Sequence, residues 1–276
     1  MNAIKERIAA AIVSDLRSQF RCPPKSFTAN ILTKKWSAET KPLVKTVIEK
    51  LNVKPDDNIL EIGYGRGNGF PYLFEKFKDG KGWVFGLECS PYMEEIVRKK
   101  YAIEIQEEGI LFLDHIENIA NLPYPNNTFN GIYHVDVFYF WQLDGMKQIV
   151  QEFLRILKPG GSLVCGLELE RLKKLEKRKV LQEAEYNPMR YTQYLEPAGF
   201  KNVSITYKKP SPSSSREFIL IKATKPSLTE DDLDPEKKME ILEVMIKEKL
   251  ALDSLVKSKN AMSQAMKEKL EDAKGL

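Results

Sequence analysis

Residues 58–70, NILEIGYGRGNGF, carry a glycine at every second position from 63 to 69, directly after a short apolar run that ends in an acid and an isoleucine. Glycine weakens an element that it interrupts by roughly 0.5–1 kcal/mol relative to alanine. Four glycines so close together therefore indicate a loop whose main chain comes very near something else. A strand, a glycine loop and a helix in this order are typical of a cradle for a nucleotide-like ligand at the carboxyl end of a parallel sheet.

The composition excludes several classes of protein. Of the 276 residues, 42% are apolar and 10% aromatic, which is enough for a full core. A net charge of +4, set against 43 basic and 39 acidic residues, indicates a solvated surface and predicts no nucleic-acid partner. No apolar run approaches the roughly 18 residues of a membrane span. Cys22, Cys89 and Cys165 are far apart in the chain and predict neither a disulfide framework nor a metal site.

The first 20 residues predict an amphipathic helix. Apolar residues recur there at helical spacing, at Ile4, Ile8, Ile12 and Leu16. Charges interrupt the segment throughout, so it lacks the apolar core of a signal peptide. A mitochondrial presequence is the alternative interpretation, but Glu6 and Asp15 count against it. We therefore expect a cytoplasmic protein, with a mitochondrial location as the alternative.

From about residue 40 the pattern alternates between strands and helices of about ten residues, which predicts an α/β fold with a doubly wound, mostly parallel sheet. Two β-rich runs, NVSITYKK and EFILIKAT, follow each other without a helix and predict an antiparallel hairpin at the sheet edge. We expect three regions: an N-terminal helical lid over residues 1–40, the main domain over 41–226, and a charged helical tail over 227–276.

The tail carries an imperfect apolar stripe at helical spacing. Its members are Ile241, Met245, Leu252, Leu255, Met262 and Met266. Three interpretations stay open for it: packing onto the main domain, binding a protein partner or self-association through residues 235–270, and partial disorder.

The glycine loop does not have the dinucleotide fingerprint G-x-G-x-x-G. Asn68, Phe70 and Tyr72 stand where the three possible frames require the last glycine. The loop instead reads E-x-G-x-G-x-G over residues 61–67, and here the sequence resembles the class I S-adenosylmethionine-dependent methyltransferases. VFGLECSPYM, LPYPNNTFNGIYHV, FLRILKPGGSLV and YLEPAGFKNVSI are similar to further segments of that family, in the family's order. The resemblance covers about residues 40–225 and implies a Rossmann-like sheet of seven strands.

The resemblance also implies S-adenosyl-L-methionine as cofactor and a set of residues that bind it. That set is Glu61, Gly63, Tyr64, Gly65, Gly67, Glu88, Cys89, Asn118, Ile119 and His134. In the family the acid at the position of Glu61 orients the loop and meets the methionine ammonium, and the acid at the position of Glu88 takes the ribose hydroxyls. Asn118-Ile119 stands where the family often has Asp-Ala, and an asparagine carbonyl still accepts a hydrogen bond from the adenine amino group.

The loop after the fourth strand faces the transferred methyl group in this family. It reads HVDVFYFWQ here, and we expect His134 and Asp136 to be the candidate catalytic residues. The N-terminal segment with Phe27 and Trp36 is where we expect acceptor specificity. The predicted function is in-line methyl transfer to a small-molecule acceptor. The alternative is an inactive S-adenosylmethionine-binding protein whose helical tail recruits a partner.

Overall fold

The computed structural model describes residues 2–211, 214, 216–227 and 235–272. Seven strands in these ranges form a single sheet. They are β1 (Asn58–Ile62), β2 (Trp83–Glu88), β3 (Leu111–His115), β4 (Phe129–Val135), β5 (Leu157–Glu168), β6 (Lys201–Lys208) and β7 (Phe218–Thr224). The strand order is β3-β2-β1-β4-β5-β7-β6. All pairings are parallel except those of β7 with β5 and β6, which confirms the predicted parallel sheet and its antiparallel hairpin.

Helices cover both faces of the sheet. In chain order they are α1 (Asn2–Arg21), α2 (Phe27–Leu51), α3 (Phe70–Phe77), α4 (Pro91–Lys100), α5 (Ala102–Gln106), α6 (Met146–Ile156), α7 (Leu169–Lys177), α8 (Glu183–Tyr186), α9 (Met189–Thr192), α10 (Leu195–Ala198) and α11 (Pro235–Asp272). All five residues of β1 are buried, as expected for a parallel strand with helices on both sides. The core therefore forms two layers, one on each face of the sheet.

Local signals in the sequence set the ends of the helices that border the cavity described below. Ser26 precedes α2 and its side chain accepts the N–H of Ala29, and Ser90 caps α4 in the same way. α2 ends at Leu51 and is capped by Asn52, which adopts the left-handed conformation. Because α2 runs without interruption from Phe27 to Leu51, the expected boundary between residues 40 and 41 falls inside this helix, and the N-terminal segment and the main domain share it.

The C-terminal helix α11 lies against the edge of the sheet. Its middle part is docked through Leu252 and Val256, which are buried in the core, and through an ion pair between Lys259 and Asp114. The part before it exposes apolar side chains, among them Met239, Leu242, Met245 and Leu250. Packing onto the main domain thus holds for the middle of α11, and a partner for its first part stays a prediction. Within the described residues, no helix combines the length and the apolar character that crossing a membrane requires.

Candidate active site

A cavity of about 440 Å³ opens at the carboxyl ends of the parallel strands. It lies where the strand order reverses, between β1 and β4, which is the usual ligand position in an open α/β sheet. One side is formed by the glycine loop and the end of β2, and the other by α1, α2 and the segment after β4. We call the first side the cradle (residues 61–69 and 87–89) and the second the wall (Gln19, Phe20, Trp36, Asp136, Phe140 and Trp141).

The glycines of the cradle have different physical roles. Gly63, Gly65 and Gly67 all have positive φ, at 73°, 52° and 69°, a region that costs other residues roughly 1–2 kcal/mol. A Cβ on Gly67 would lie 2.9 Å from the rings of Phe70 and Tyr101, whereas a Cβ on Gly65 would meet nothing within 4 Å. Gly63 and Gly65 line the cavity and Gly67 does not. Gly65 is therefore where the bare main chain faces open space, and Gly67 is where it packs against protein.

Glu88 ties the glycine loop to the end of β2. Its Oε2 accepts the backbone N–H of Gly65 at 2.9 Å, and its Oε1 accepts those of Cys89 and Ser90 at 3.0 and 3.1 Å. Burial raises the pKa of the Glu88 carboxyl, and these N–H donors oppose that shift. A carboxylate has about four acceptor positions, so Oε2 keeps capacity for a further donor from the cavity.

Glu61 is a buried acid with an unsatisfied oxygen. It is 4% exposed, and its Oε2 has no hydrogen-bond partner among the described residues. Burial raises its pKa to about 8; the hydroxyl of Tyr133 opposes this shift and the charge of Glu88 adds to it. A Cβ on Gly69 would lie 2.6 Å from this oxygen, which explains the fourth glycine. An acid in this state favours a cationic partner, since a positive charge nearby stabilises the ionised form.

The remaining predicted cofactor residues lie around the same cavity. Tyr64 is 3% exposed and its ring packs 5.5 Å from that of Phe70, so it lies beneath the loop. Asn118 is exposed and its Oδ1 accepts the N–H of Ala120 at 3.0 Å. Cys89 and Ile119 also line the cavity. Of the predicted set, only Gly67 and His134 are away from the lining.

His134 and Asp136, the predicted catalytic pair, point to different surroundings. His134 is fully buried, its Nε2 lies 3.1 Å from the hydroxyl of Tyr191, and burial lowers its pKa to about 3. Asp136 lines the cavity, is 5% exposed and has a φ of 57°. Only a few per cent of non-glycine residues adopt this left-handed backbone, aspartate more often than most, and such conformations cluster at functional sites. Only Asp136 is thus placed to meet a molecule in the cavity.

Asp136 is held by a buried arginine that sequence reasoning missed. Arg171 of α7 forms an ion pair with Asp136, and its Nη1 lies 3.8 Å from Oε2 of Glu168. The guanidinium also lies over the ring of Trp36, 4.9 Å from its centroid. Burial lowers the pKa of Arg171 to about 9. In the sequence, Arg171 stands in the charged helix LERLKKLEK, where nothing distinguishes it from its solvated neighbours.

The aromatic part of the wall comes from three separate segments. Phe20 of α1 and Trp36 of α2 have ring centroids 4.4 Å apart, and Phe140 and Trp141 follow β4. Phe138 and Tyr139, from the same predicted cluster, are core residues, and Phe27 is 80% exposed and away from the cavity. Trp36 thus lines the cavity and a role of it in acceptor specificity stays a prediction, whereas no local pattern marks Phe20.

Polar contacts fasten α2 to the glycine loop. Asn68 donates to the carbonyl of Ser37 at 2.6 Å and accepts the Ser37 hydroxyl at 2.8 Å. Arg66 donates to Thr33 Oγ1 at 3.1 Å and to Asn30 Oδ1 at 2.5 Å. The thiol of Cys22, between α1 and α2, donates to the carbonyl of Cys89 at 3.2 Å. The cradle and the wall are thus joined into one enclosed site.

Comparison with known proteins agrees with this geometry. Residues 60–165 match the family model described as "Methyltransferase domain". The chain is 30% identical over 122 residues to a demethylmenaquinone methyltransferase of Symbiobacterium thermophilum, covering 43% of this chain and 45% of that protein. It is 24% identical to the uncharacterized methyltransferase YdaC of Bacillus subtilis, covering 65% of this chain and 91% of that one. This chain thus spans less than half the length of the first relative.

A solved structure shares the fold. Phosphoethanolamine N-methyltransferase 2 of Haemonchus contortus, in complex with phosphomonomethylethanolamine and S-adenosylhomocysteine, aligns with a TM-score of 0.53 at 13% identity. The alignment covers 67% of this chain and 52% of that one. The matched domain and the shared fold support a class I S-adenosylmethionine-dependent methyltransferase. S-adenosyl-L-methionine is the cofactor of this family.

Proposed function

We propose that the protein transfers a methyl group from S-adenosylmethionine to a small-molecule acceptor by in-line displacement. The observation that carries the proposal is that one cavity joins the cradle, with its unsatisfied buried acid, to an aromatic wall with a second buried acid. When bound, S-adenosylmethionine supplies a methyl group on a sulfonium sulfur, which keeps the bonding electron pair as the methyl leaves.

The cradle fits this cofactor through three features. The open space over Gly65 admits a ligand against bare main chain. Glu61 offers an unpaired oxygen for the methionine ammonium, and Oε2 of Glu88 keeps acceptor capacity for a ribose hydroxyl. Asn118 and Ile119 line the cavity on the side of β2 and β3, where they would flank the adenine.

The wall would orient the acceptor and remove its proton. Asp136 is the residue of this side that can accept a proton, and the Arg171 guanidinium stabilises its ionised form. Its role would be that of a general base, which contributes typically 10²–10⁴-fold to a rate. Alignment of the acceptor with the methyl group, at roughly 3–3.5 Å, would come from the aromatic side chains. His134 would act through packing and its main chain.

The test is a screen for methyl transfer. The purified chain is incubated with S-adenosylmethionine and fractionated small-molecule extracts, and formation of S-adenosylhomocysteine is measured. We expect turnover with at least one fraction, and its loss in Asp136→Asn. If the chain binds the cofactor but no fraction supports turnover, the alternative of an inactive cofactor-binding protein with a partner-recruiting tail replaces this proposal.

A further inference from the structure

Besides its aromatic rings, the wall carries two buried side chains with acceptor oxygens, Gln19 and Asp136. Gln19 of α1 is 5% exposed and lines the cavity, and its Oε1 has no hydrogen-bond partner among the described residues. Its Nε2 donates to Oδ2 of Asp15 at 2.6 Å. Because the carboxylate of Asp15 is an acceptor, this contact fixes which end of the amide is the nitrogen. Gln19 therefore presents an acceptor on the cavity side of α1.

Asp136 is a second acceptor on the same wall. It is ion-paired with Arg171 through Oδ2, and its Oδ1 has no hydrogen-bond partner within the described part of the chain. Leaving a buried acceptor unsatisfied costs free energy, and the cost disappears when a donor arrives. Gln19 and Asp136 together thus favour a molecule that brings O–H or N–H groups to the wall.

The charges around the cavity disfavour an anionic molecule. Among the described lining residues only two are cations, Arg21 and Arg66. Arg66 is engaged with Thr33 and Asn30, and Arg21 is exposed, so solvent screens its charge. A phosphate or carboxylate is bound through several donors or an unpaired cation. The wall instead presents the carboxylate of Asp136, which disfavours a second anion.

The aromatic rings disfavour a small cationic molecule as well. One face of Trp36 is taken by the guanidinium of Arg171, and Phe20 packs on the same ring system. Trp141 is packed against His134 and Phe153, with ring centroids 5.0 and 5.7 Å away. A ring already occupied in this way offers apolar contact area to a flat molecule but a poor cage for an ammonium group.

We infer that the methyl acceptor is a flat, neutral, largely apolar molecule that carries hydroxyl groups, which donate to Gln19 and Asp136. This inference rests on the proposed function and names the substrate class of the same site. The hydroxyl donors satisfy the two buried acceptors, and the ring system fills the space between Phe20, Trp36 and Phe140.

The test uses the full chain saturated with S-adenosylhomocysteine and equilibrium dialysis against three matched probes: 2,3-dihydroxynaphthalene, naphthalene and 2-naphthyl phosphate. We expect the diol to bind at least tenfold more tightly than either of the others. Gln19→Met has nearly the same length without the amide, and it should reduce the advantage of the diol over naphthalene by threefold or more. Gln142→Met changes an exposed glutamine at the same cavity and should keep that advantage.

The outcomes separate the two proposals. If S-adenosylhomocysteine binds but 2-naphthyl phosphate or naphthalene binds as well as the diol, this inference is overturned and the proposed function stands. An unchanged preference in Gln19→Met, with S-adenosylhomocysteine binding retained as evidence of folding, also overturns it. If S-adenosylhomocysteine itself does not bind, the proposed function fails and this inference fails with it.

Discussion

The cradle and the wall enclose one cavity, yet they are built in opposite ways. The cradle comes from two short continuous stretches, and its conformation is fixed by positive-φ glycines and by the backbone donors that Glu88 accepts. The wall brings together side chains from α1, α2 and the segment after β4, and it rests on a buried ion pair. We expect the cradle to bind the ligand common to the family largely through main chain, and the wall to bind the ligand particular to this protein through side chains.

The wall should depend on its ion pair far more than the cradle depends on any single side chain. Asp136→Ala leaves Arg171 buried with only its 3.8 Å contact to Glu168. Loss of a buried ion-pair partner costs about 3–5 kcal/mol, and chemical denaturation measures the loss. The double variant Asp136→Leu/Arg171→Met removes both charges and should recover most of the stability. If Asp136→Ala were as stable as the unmodified protein, the ion pair between Asp136 and Arg171 would not stabilise the wall.

Cofactor affinity should depend on the carboxylate of Glu88. Glu88→Gln keeps the shape of the side chain but replaces one acceptor oxygen by an NH₂ donor. That donor then faces backbone N–H groups, which are donors as well. We expect binding of S-adenosylhomocysteine to weaken by about 1.5–3 kcal/mol, the range for hydrogen bonds to a charged group. Calorimetry measures it, and thermal unfolding confirms that the variant folds. Equal affinities of the variant and the unmodified protein would show that the Glu88 carboxylate does not contribute to cofactor binding.

Two glycines of the cradle should respond differently to the same substitution. Gly65→Ala adds backbone strain of about 1–2 kcal/mol and places a methyl group in the open space of the cavity, so it should weaken cofactor binding more than folding. Gly67→Ala adds the same strain and a clash with Phe70 and Tyr101, so it should affect folding more. Parallel measurements of unfolding and binding on both variants decide this. The opposite order would mean that Gly67 faces the ligand.

Binding of the cofactor should release a proton. The pKa of Glu61 is raised to about 8, so this carboxyl is protonated in the free protein at neutral pH, and an ammonium group binds its ionised form. Affinity should therefore rise with pH between about pH 6 and pH 7.5, by up to about tenfold per unit. The stability of the free protein depends on pH in the opposite direction. Because the pKa of Glu61 is raised on folding, its contribution to stability is complete below pH 4.5 and is lost as pH rises through about 8.

Glu61→Gln is the control for the pH dependence, because it cannot titrate. Calorimetry in buffers with different ionisation enthalpies counts the released protons directly. A pH slope that persists unchanged in Glu61→Gln would assign the proton to another group and leave Glu61 a structural residue.

The smallest effect is expected from the tail. No residue of α11 lines the cavity, so removing residues 227–276 should change cofactor affinity by less than about a factor of ten, or 1.4 kcal/mol. The melting temperature should fall, because Leu252 and Val256 leave the core. A truncated chain that folds but no longer binds the cofactor would make the tail part of the site.

The cradle could be predicted from the sequence because its conformation depends on residues that lie close together in the chain. Glycines at alternate positions after a buried strand, and an acid at the end of the next strand, leave few conformations open to the chain. The parallel sheet and the hairpin followed from the alternation of apolar runs in the same way. Asp136 was identified because it follows the fourth strand directly.

Gln19, Phe20 and the supporting Arg171 escaped prediction because they meet the rest of the wall only in the folded chain. Arg171 lies 35 positions after Asp136 in the sequence, in a helix whose other charged residues include solvent-exposed lysines. Gln19 and Phe20 lie in a helix whose packing partner was not predictable from spacing. His134 looked equivalent to Asp136 in the sequence, but β4 ends at Val135 and Asp136 has a left-handed φ of 57°. The two side chains therefore do not share one face of a strand, and His134 ends in the core.

The central claim is that the cradle holds S-adenosylmethionine, and titration with S-adenosylhomocysteine at neutral pH tests it most directly. The account predicts one site per chain, with proton release that disappears in Glu61→Gln. It also predicts a gain in unfolding free energy of about 2.7 kcal/mol when the ligand reaches a hundred times its dissociation constant. No heat of binding and no stabilisation at millimolar ligand would contradict the account.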